Sequence, residues 1–288
     1  MSEILKLENG YINLAVSTLG AELLYVYGKN GTQFLWEGSE KSWKNRAPVL
    51  FPICSGLKND KYTHKGKAYN MSKHGFGKLK EYVGEKQSDS KLKFTLFADE
   101  ETKKNYPFDF ELNIFYELEA NKLNVTYSVK NLAEDEMYFS IGTHEGYYCP
   151  EGIEEYYLEF EKVRDLEQVI TKNGLTTYET EQIVHSSKTF PLKTDYFIGR
   201  KSIIIKNTDL DKVMLVHKNS TKRISVDFKG FSYFLLWTIP GEKYICLEPW
   251  HGICDFEGSN YEISEKGAII TLRGDEEFKT VHTITFEE

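Results

Sequence analysis

Alternation of apolar and polar residues over two adjacent segments constrains the fold of this chain most. From 110 to 118 apolar side chains occupy every second position, and the same period returns from 123 to 129. A period of two is that of a half-buried β-strand, and only residues 119–122 separate the two runs. The pattern therefore predicts an antiparallel hairpin.

Shorter apolar runs, bounded by glycine, asparagine, aspartate or proline, predict further strands. They lie at residues 92–97, 202–205, 213–217, 223–228, 233–237, 244–247, 268–272 and 281–286. Short helical turns are predicted only at 99–106 and at 39–44, the latter with Ser39 as N-cap. Many short strands without a long helix predict an all-β fold, a large antiparallel β-sandwich. No linker or repeat interrupts it, so we expect one domain over residues 1–288. A sandwich of this size can curve into a concave face suited to a carbohydrate.

Composition limits the partners and the compartment. The net charge of -8 argues against nucleic acid or an anionic membrane as a partner, because either would be repelled. No run of about 20 apolar residues and no signal segment is visible, so a cytoplasmic protein is expected. The cysteines lack a CxxC pair and are expected to be free buried thiols. They are Cys54, Cys149, Cys246 and Cys254.

Glu248 is a candidate general base. It follows the predicted strand 244–247 and precedes Pro249 and Trp250. Since proline has no amide hydrogen to donate, the chain is expected to leave the sheet there, with Glu248 at the strand end. Burial beside Trp250 would raise the pKa of this carboxyl toward that of a useful base. A solvated strand-end glutamate is the alternative.

Three more polar residues stand in short segments marked by glycine or proline. His144 lies in a turn bracketed by Gly142 and Gly146, and an imidazole can give and take a proton near neutral pH. His74 has lysines on both sides at 73 and 78, which favours a neutral, hydrogen-bonding imidazole. Arg46 offers five donors to sugar hydroxyls or a phosphate. Each alone is more often a capping, loop or surface residue. Together with Glu248 they suit proton transfer on a neutral polyol, and Trp250 is the candidate to stack on a sugar ring.

Other chemistries have little support in the sequence. His217, His251 and Asp255 are of metal-ligand types but lack the spacing of common metal sites. There is no GxSxG elbow, P-loop or GxGxxG motif. We therefore expect neither a metal nor a nucleotide cofactor.

The four segments together resemble the aldose 1-epimerase (galactose mutarotase) superfamily, and its LacX-like branch in particular. Residues 46–52 resemble the arginine segment of the family, 74–76 its HGF motif, 142–144 its second-histidine turn and 246–250 its glutamate motif. The resemblance covers nearly the whole chain. It implies a β-sandwich with an open sugar cleft, in which Glu248 is the catalytic base, His144 the catalytic acid, and His74 and Arg46 bind the sugar. Asp195 matches an aspartate that orients sugar hydroxyls.

Two positions depart from the family pattern. Lys78 stands where an arginine often follows the HGF motif, and Glu145 stands where a proline often follows the second histidine. Lysine keeps the charge but loses the planar fork, and Glu145 is expected to raise the pKa of His144. These departures bear on substrate choice.

The resemblance implies an isomerase that interconverts the α and β anomers of a free aldose without a cofactor, acting as a monomer or homodimer. A hexose-6-phosphate 1-epimerase is one alternative, because Arg46, Lys73 and Lys78 could hold a phosphate. A carbohydrate-binding protein without turnover is another. A glycoside hydrolase would need a second carboxylate opposite Glu248, for which Asp227 and Asp255 are candidates.

Overall fold

The computed structural model describes residues 2–199, 201–206 and 209–288, so residues 1, 200, 207 and 208 of the predicted domain lie outside the described part. Its strands are β1 (Ile4–Glu8), β2 (Ile12–Ser17), β3 (Leu23–Gly28), β4 (Lys61–His64), β5 (Lys67–Asn70), β6 (Val83–Lys86), β7 (Lys91–Phe97), β8 (Phe110–Glu119), β9 (Lys122–Asn131), β10 (Met137–Phe139), β11 (Ile141–Gly142), β12 (Glu145–Tyr148), β13 (Tyr156–Lys172), β14 (Leu175–Pro191), β15 (Ile203–Lys206), β16 (Lys212–His217), β17 (Arg223–Asp227), β18 (Tyr233–Trp237), β19 (Tyr244–His251), β20 (Ile270–Leu272) and β21 (Glu277–Glu287). The helix α1 spans Glu100–Asn105, and single 3₁₀ turns span Lys58–Asp60, Gly77–Leu79, Ile153–Glu155, Thr194–Phe197 and Ile263–Glu265.

One large antiparallel sheet carries most of these strands. Its order is β11-β19-β18-β15-β13-β16-β17-β21-β9-β8-β7-β6, with β12 also paired to β19 and β14 to β13. Smaller sheets are formed by β1-β2-β3, by β10-β20 and by β4-β5. The predicted all-β antiparallel fold is confirmed. No helix among the described residues is long and apolar enough to span a membrane.

The hairpin predicted from the alternating residues is present. Strands β8 and β9 pair from Phe110 with Asn131 to Glu119 with Lys122. Leu112, Ile114, Leu123 and Val125 on the inward face have no exposed surface, because every second side chain points into the core. The predicted helical turn at 99–106 is also present as α1, with the Asp99 side chain accepting a hydrogen bond from the Thr102 amide at the N-cap.

The prediction that the chain leaves the sheet at Pro249 is wrong. Strand β19 continues to His251, and Pro249 pairs with Phe234 of β18. On its other side, β19 pairs with β12 up to Leu247 and with β11 from Trp250 onward. On that side no strand among the described residues pairs with Pro249. The sheet can therefore include Pro249 although proline has no amide hydrogen to donate. Glu248 consequently lies inside a buried strand that is paired on both sides.

The helical turn predicted at 39–44 is also wrong. The segment is a simple turn in which the Ser39 amide donates to the Trp43 carbonyl at 2.9 Å. The same carbonyl accepts a hydrogen bond from the indole of Trp36 at 3.0 Å. These local bonds take the place of helical bonds, so the segment closes as a loop over the site described below.

A long hairpin formed by β13 and β14 was not predicted. Each strand has 17 residues, and polar side chains outnumber apolar ones in the outer half, so apolar runs do not mark them. The pair Asn173-Gly174 forms the turn, with φ of +52° and +78°. Asn-Gly between two strands is a strong hairpin signal and could have revealed this element.

Candidate active site

A cavity of about 190 Å³ lies against β18 and β19, beneath the loop that contains Trp43. Four of the six predicted site residues meet there, namely Glu248, His144, His74 and Trp250. The complete lining is Trp43, Asn45, Pro48, Ser55, Lys73, His74, Lys78, His144, Ser202, Ile204, Leu235, Trp237, Glu248 and Trp250.

Glu248 contributes a carboxyl group from the middle of β19. The residue is only 1 % exposed, and its Oε2 atom has no hydrogen-bond partner among the described residues. Burial raises the pKa of Glu248 well above its ordinary value, and Glu145 adds to this effect, whereas the charge of Lys73 lowers the pKa. The carboxyl therefore holds a proton more tightly than a surface glutamate does.

His144 stands at the interruption between β11 and β12, directly across from Glu248. Its Nε2 atom lies 3.5 Å from Oε2 of Glu248. The imidazole is 8 % exposed and packs 5.1 Å from the ring of Trp43 and 5.5 Å from that of Trp237. Burial lowers the pKa of His144 to about 3, with the charges of Lys73 and Lys78 acting in the same direction. Burial thus favours the uncharged form of both groups, in which the proton of the pair lies on Glu248.

The expectation that Glu145 raises the pKa of His144 is wrong. Successive side chains of a strand point to opposite faces, so Glu145 faces the core while His144 faces the cavity. The Glu145 Oε1 atom lies 3.1 Å from Nε2 of His282, on β21. Burial of the imidazole determines the pKa of His144 instead.

His74 lies beside this pair in a backbone conformation unusual for its residue type. It has φ of +67°, followed by Gly75 with φ of +65°. A Cβ atom on Gly75 would lie 2.2 Å from the Phe51 carbonyl oxygen, so only glycine fits this turn. The Ser55 amide donates to Nδ1 of His74 at 3.1 Å, which leaves the ring proton on Nε2. Burial, His144 and the lysines lower the pKa of His74 well below its usual value, so the imidazole is a neutral donor.

Arg46 and Asp195 are not among the residues that line this cavity. The backbone of Arg46 is fixed by the Glu22 side chain at 2.7 Å and by the Gly146 amide at 2.8 Å, and the neighbouring Asn45 reaches the cavity instead. Asp195 lines a separate cavity of about 430 Å³ against the long hairpin. Ser202 lines both cavities.

The structure adds residues that the sequence did not identify. Trp43 and Trp237 are individually typical of core residues, and no sequence signal distinguishes them from the other tryptophans. The indole of Trp250 donates to the Thr143 carbonyl at 2.9 Å, which fixes this ring at the cavity wall.

Among the described residues, one set of metal-ligand types comes together: atoms of His144, Cys246 and Glu248 lie within 4.8 Å of one another. The four cysteines are buried free thiols, as predicted.

Comparison with known proteins identifies the family of the chain. The family model for aldose 1-epimerase matches residues 3–280. Protein LacX, plasmid, of Lactococcus lactis subsp. lactis is 28% identical over 263 residues, which cover 86% of this chain and 88% of that protein.

Solved structures resemble the whole chain. A galactose mutarotase related enzyme from Lactobacillus acidophilus superposes with a TM-score of 0.95 at 28% identity, covering 99% of this chain and 98% of the other. A galactose mutarotase-like protein from Lactobacillus casei superposes with a TM-score of 0.93 at 25% identity, covering 99% of this chain and 100% of the other. The resemblance inferred from the four sequence segments is confirmed.

Proposed function

The chain belongs to the aldose 1-epimerase family, and on that premise we propose that it interconverts the α and β anomers of a free aldose. The observation that carries the proposal is the 3.5 Å approach of His144 Nε2 to Glu248 Oε2 at the wall of a cavity. A carboxyl and an imidazole in this position can flank the anomeric hydroxyl and the ring oxygen of one pyranose.

The size and lining of the cavity support a single sugar ring as substrate. Its volume of about 190 Å³ is below the range of pockets for drug-sized ligands, about 300–1,000 Å³. Trp43, Trp237 and Trp250 offer apolar surface for the C–H face of a pyranose. The Nε2–H group of His74 offers a donor to a sugar oxygen. The substrate is therefore a small polyol held between aromatic rings.

In the proposed reaction, the carboxylate of Glu248 takes the proton of the anomeric hydroxyl while imidazolium His144 gives its proton to the ring oxygen. The C1–O5 bond breaks, and the open-chain aldehyde forms. Rotation about C1–C2 exposes the other carbonyl face, and the reverse transfers close the opposite anomer. One positioned acid and one positioned base contribute about 10²- to 10⁴-fold each.

The directions of the two pKa shifts specify how the shared proton must move. In the empty cavity burial keeps the proton on Glu248 and off His144. Sugar hydroxyls that donate to the carboxylate stabilise its charged form and lower its pKa. Substrate binding therefore favours the arrangement with the proton on His144 and the charge on Glu248.

The variants Glu248→Gln and His144→Asn test this proposal. Each should slow anomer interconversion, followed by polarimetry, by at least about 10²-fold while the circular dichroism spectrum stays unchanged. Glu179→Gln, at an exposed position of β14, is the matched control and should keep full activity. Normal turnover in Glu248→Gln would remove this carboxyl from the mechanism. Sugar binding without any rate enhancement in the unmodified protein would favour a carbohydrate-binding protein.

A phosphorylated aldose is the second candidate, because two lysines line the cavity of a protein with net charge -8. No salt bridge to a carboxylate is found for Lys73 or Lys78 within the described residues, and Lys78 donates to the Lys73 carbonyl at 3.3 Å. Mutarotation of glucose and of glucose 6-phosphate should be compared in the unmodified protein and in Lys73→Met. A loss in kcat/KM confined to the phosphate ester would support this candidate, whereas equal loss for both sugars would oppose it.

A further inference from the structure

Cys246 is a third chemical group beside the proposed catalytic pair, and it has no part in the proton transfers. We propose that the thiol of Cys246 joins His144 and Glu248 in a binding site for a borderline-soft divalent metal ion such as Zn²⁺, and that the bound ion blocks the active site. Metal binding itself does not depend on the proposed epimerase activity.

The strand geometry brings the three ligands together. Cys246 and Glu248 are two residues apart on β19, so their side chains point to the same face of the sheet. Cys246 pairs with Gly146 of β12, the strand that begins directly after His144. The thiol thus lies beside the pair, fully buried.

The observed spacing is close to that of a tetrahedral zinc site. Zn–N bonds of about 2.0–2.1 Å, Zn–O bonds of about 2.0–2.2 Å and a Zn–S bond of about 2.3 Å require ligand atoms about 3.3–3.7 Å apart in a tetrahedral site. His144 Nε2 and Glu248 Oε2 are already 3.5 Å apart, and all three ligand atoms lie within 4.8 Å of one another. A shift of the thiol by about 1 Å completes the geometry.

A second observation points to a missing ligand at this position. Oε2 of Glu248 is completely buried, yet it has no hydrogen-bond partner among the described residues. Buried polar atoms are satisfied in the great majority of cases, and an exception calls for an ion, a water or a functional role. The same atom is the one nearest to His144 Nε2.

The chemistry of the donor set selects the class of ion. Sulfur, nitrogen and oxygen together suit Zn²⁺ or Co²⁺, whereas Mg²⁺ and Ca²⁺ require oxygen ligands. Thiolate and carboxylate neutralise the two charges of the ion, which favours binding in a buried site. Coordination releases the thiol proton and the shared proton of the catalytic pair to solvent. The site would have three protein ligands and a fourth coordination position toward the cavity. Zinc sites that bind water or substrate have the same arrangement.

Occupancy would inhibit the enzyme because the metal takes both groups that transfer protons. Substitution of Cys246 distinguishes metal binding from proton transfer, because it removes a metal ligand but neither the acid nor the base. Cys149 is the matched control, because it is also a fully buried free thiol but lies outside the site.

Titration of the metal-free, full-length protein with Co²⁺ tests the binding site directly. We expect one Co²⁺ per chain with a thiolate-to-cobalt charge-transfer band, displaced by Zn²⁺, retained in Cys149→Ala and absent in Cys246→Ala. Cys246→Ser provides a second variant in case the alanine variant fails to fold. Absence of the band in the unmodified protein, or its persistence without Cys246, would overturn the proposal even if the protein lacks epimerase activity.

A second measurement tests the inhibition. Zn²⁺ should suppress mutarotation in the unmodified protein, and Cys246→Ala should need at least about tenfold more Zn²⁺ for the same effect. Equal sensitivity of the two proteins would overturn the inhibitory role. Because the cobalt band does not depend on turnover, failure of the metal site and failure of the proposed reaction are distinguishable.

Discussion

Glu145 Oε1 and His282 Nε2 lie 3.1 Å apart in the core, behind the strand end at which His144 faces the cavity. His282 has no exposed surface, and its ring stacks with Tyr127 at 6.0 Å. Neither partner can therefore be solvated when the other is removed. The pair anchors β12 to β21 directly beneath His144.

This contact predicts strong coupling between the two residues. His282→Phe keeps an aromatic ring but leaves the Glu145 carboxyl buried without its hydrogen-bond partner, so the free energy of unfolding should fall by about 1–3 kcal/mol. Glu145→Gln/His282→Phe removes the carboxyl together with its partner and should recover part of this loss. Urea unfolding followed by circular dichroism measures the free energy of unfolding of His282→Phe, Glu145→Gln and the double variant. Strictly additive losses in the two single variants and the double variant would contradict the coupling.

The shared proton of Glu248 and His144 predicts the pH dependence of kcat/KM. The active, singly protonated pair is lost at low pH when His144 is protonated, with a pKa of about 3, and at high pH when Glu248 loses its proton. Activity should therefore persist below the ordinary histidine pKa of 6.5. Polarimetry across the pH range measures this profile, corrected for the spontaneous reaction. An acid limb centred near 6.5 would contradict it.

His74 should contribute mainly to substrate binding. Asparagine tolerates a positive φ but does not reproduce the Nε2 donor, so His74→Asn should raise KM by about tenfold with little change in kcat. Exposed His185→Asn is the control. Steady-state kinetics separates the two parameters. A fall in kcat at unchanged KM would instead assign His74 to the chemical step.

Gly142 should be required for the position of Trp250. A Cβ atom at residue 142 would lie 2.5 Å from Cδ1 of Trp250, so Gly142→Ala must displace the indole that walls the cavity. We expect lower activity and a loss of about 1–3 kcal/mol in stability. Gly10→Ala meets no atom within 4 Å and should be close to neutral. Normal activity in Gly142→Ala would show that the wall tolerates this shift.

His251 should make the fold sensitive to acid. Burial lowers the pKa of His251 to about 4, so between the ordinary value of 6.5 and about 4 the unfolded chain binds a proton that the folded one excludes. Stability therefore falls as pH falls through this window, by up to about 1.4 kcal/mol per pH unit from this residue. His251→Gln should show a shallower slope in urea unfolding between pH 7 and 5. An unchanged slope would exclude His251 as the cause.

Much of the fold and part of the site follow from local sequence. Alternating residues predict β8 and β9 because strand period and hydrophobic pattern coincide. Glu248, His144 and His74 were identified because each stands in a short segment marked by glycine, proline or an aromatic residue. The β13–β14 hairpin escaped prediction because its outer residues are exposed and polar, although Asn173-Gly174 marks its turn.

Residue types and short spacings are sufficient to predict the strand-rich fold, the family resemblance and the acid and base candidates. The folded chain was needed to show that Pro249 stays within β19, that Glu145 faces His282 and that Asp195 lines another cavity. Pairing between strands distant in the chain fixes these outcomes, because register determines which face each side chain occupies. The 3.5 Å approach of His144 to Glu248 is such a long-range result.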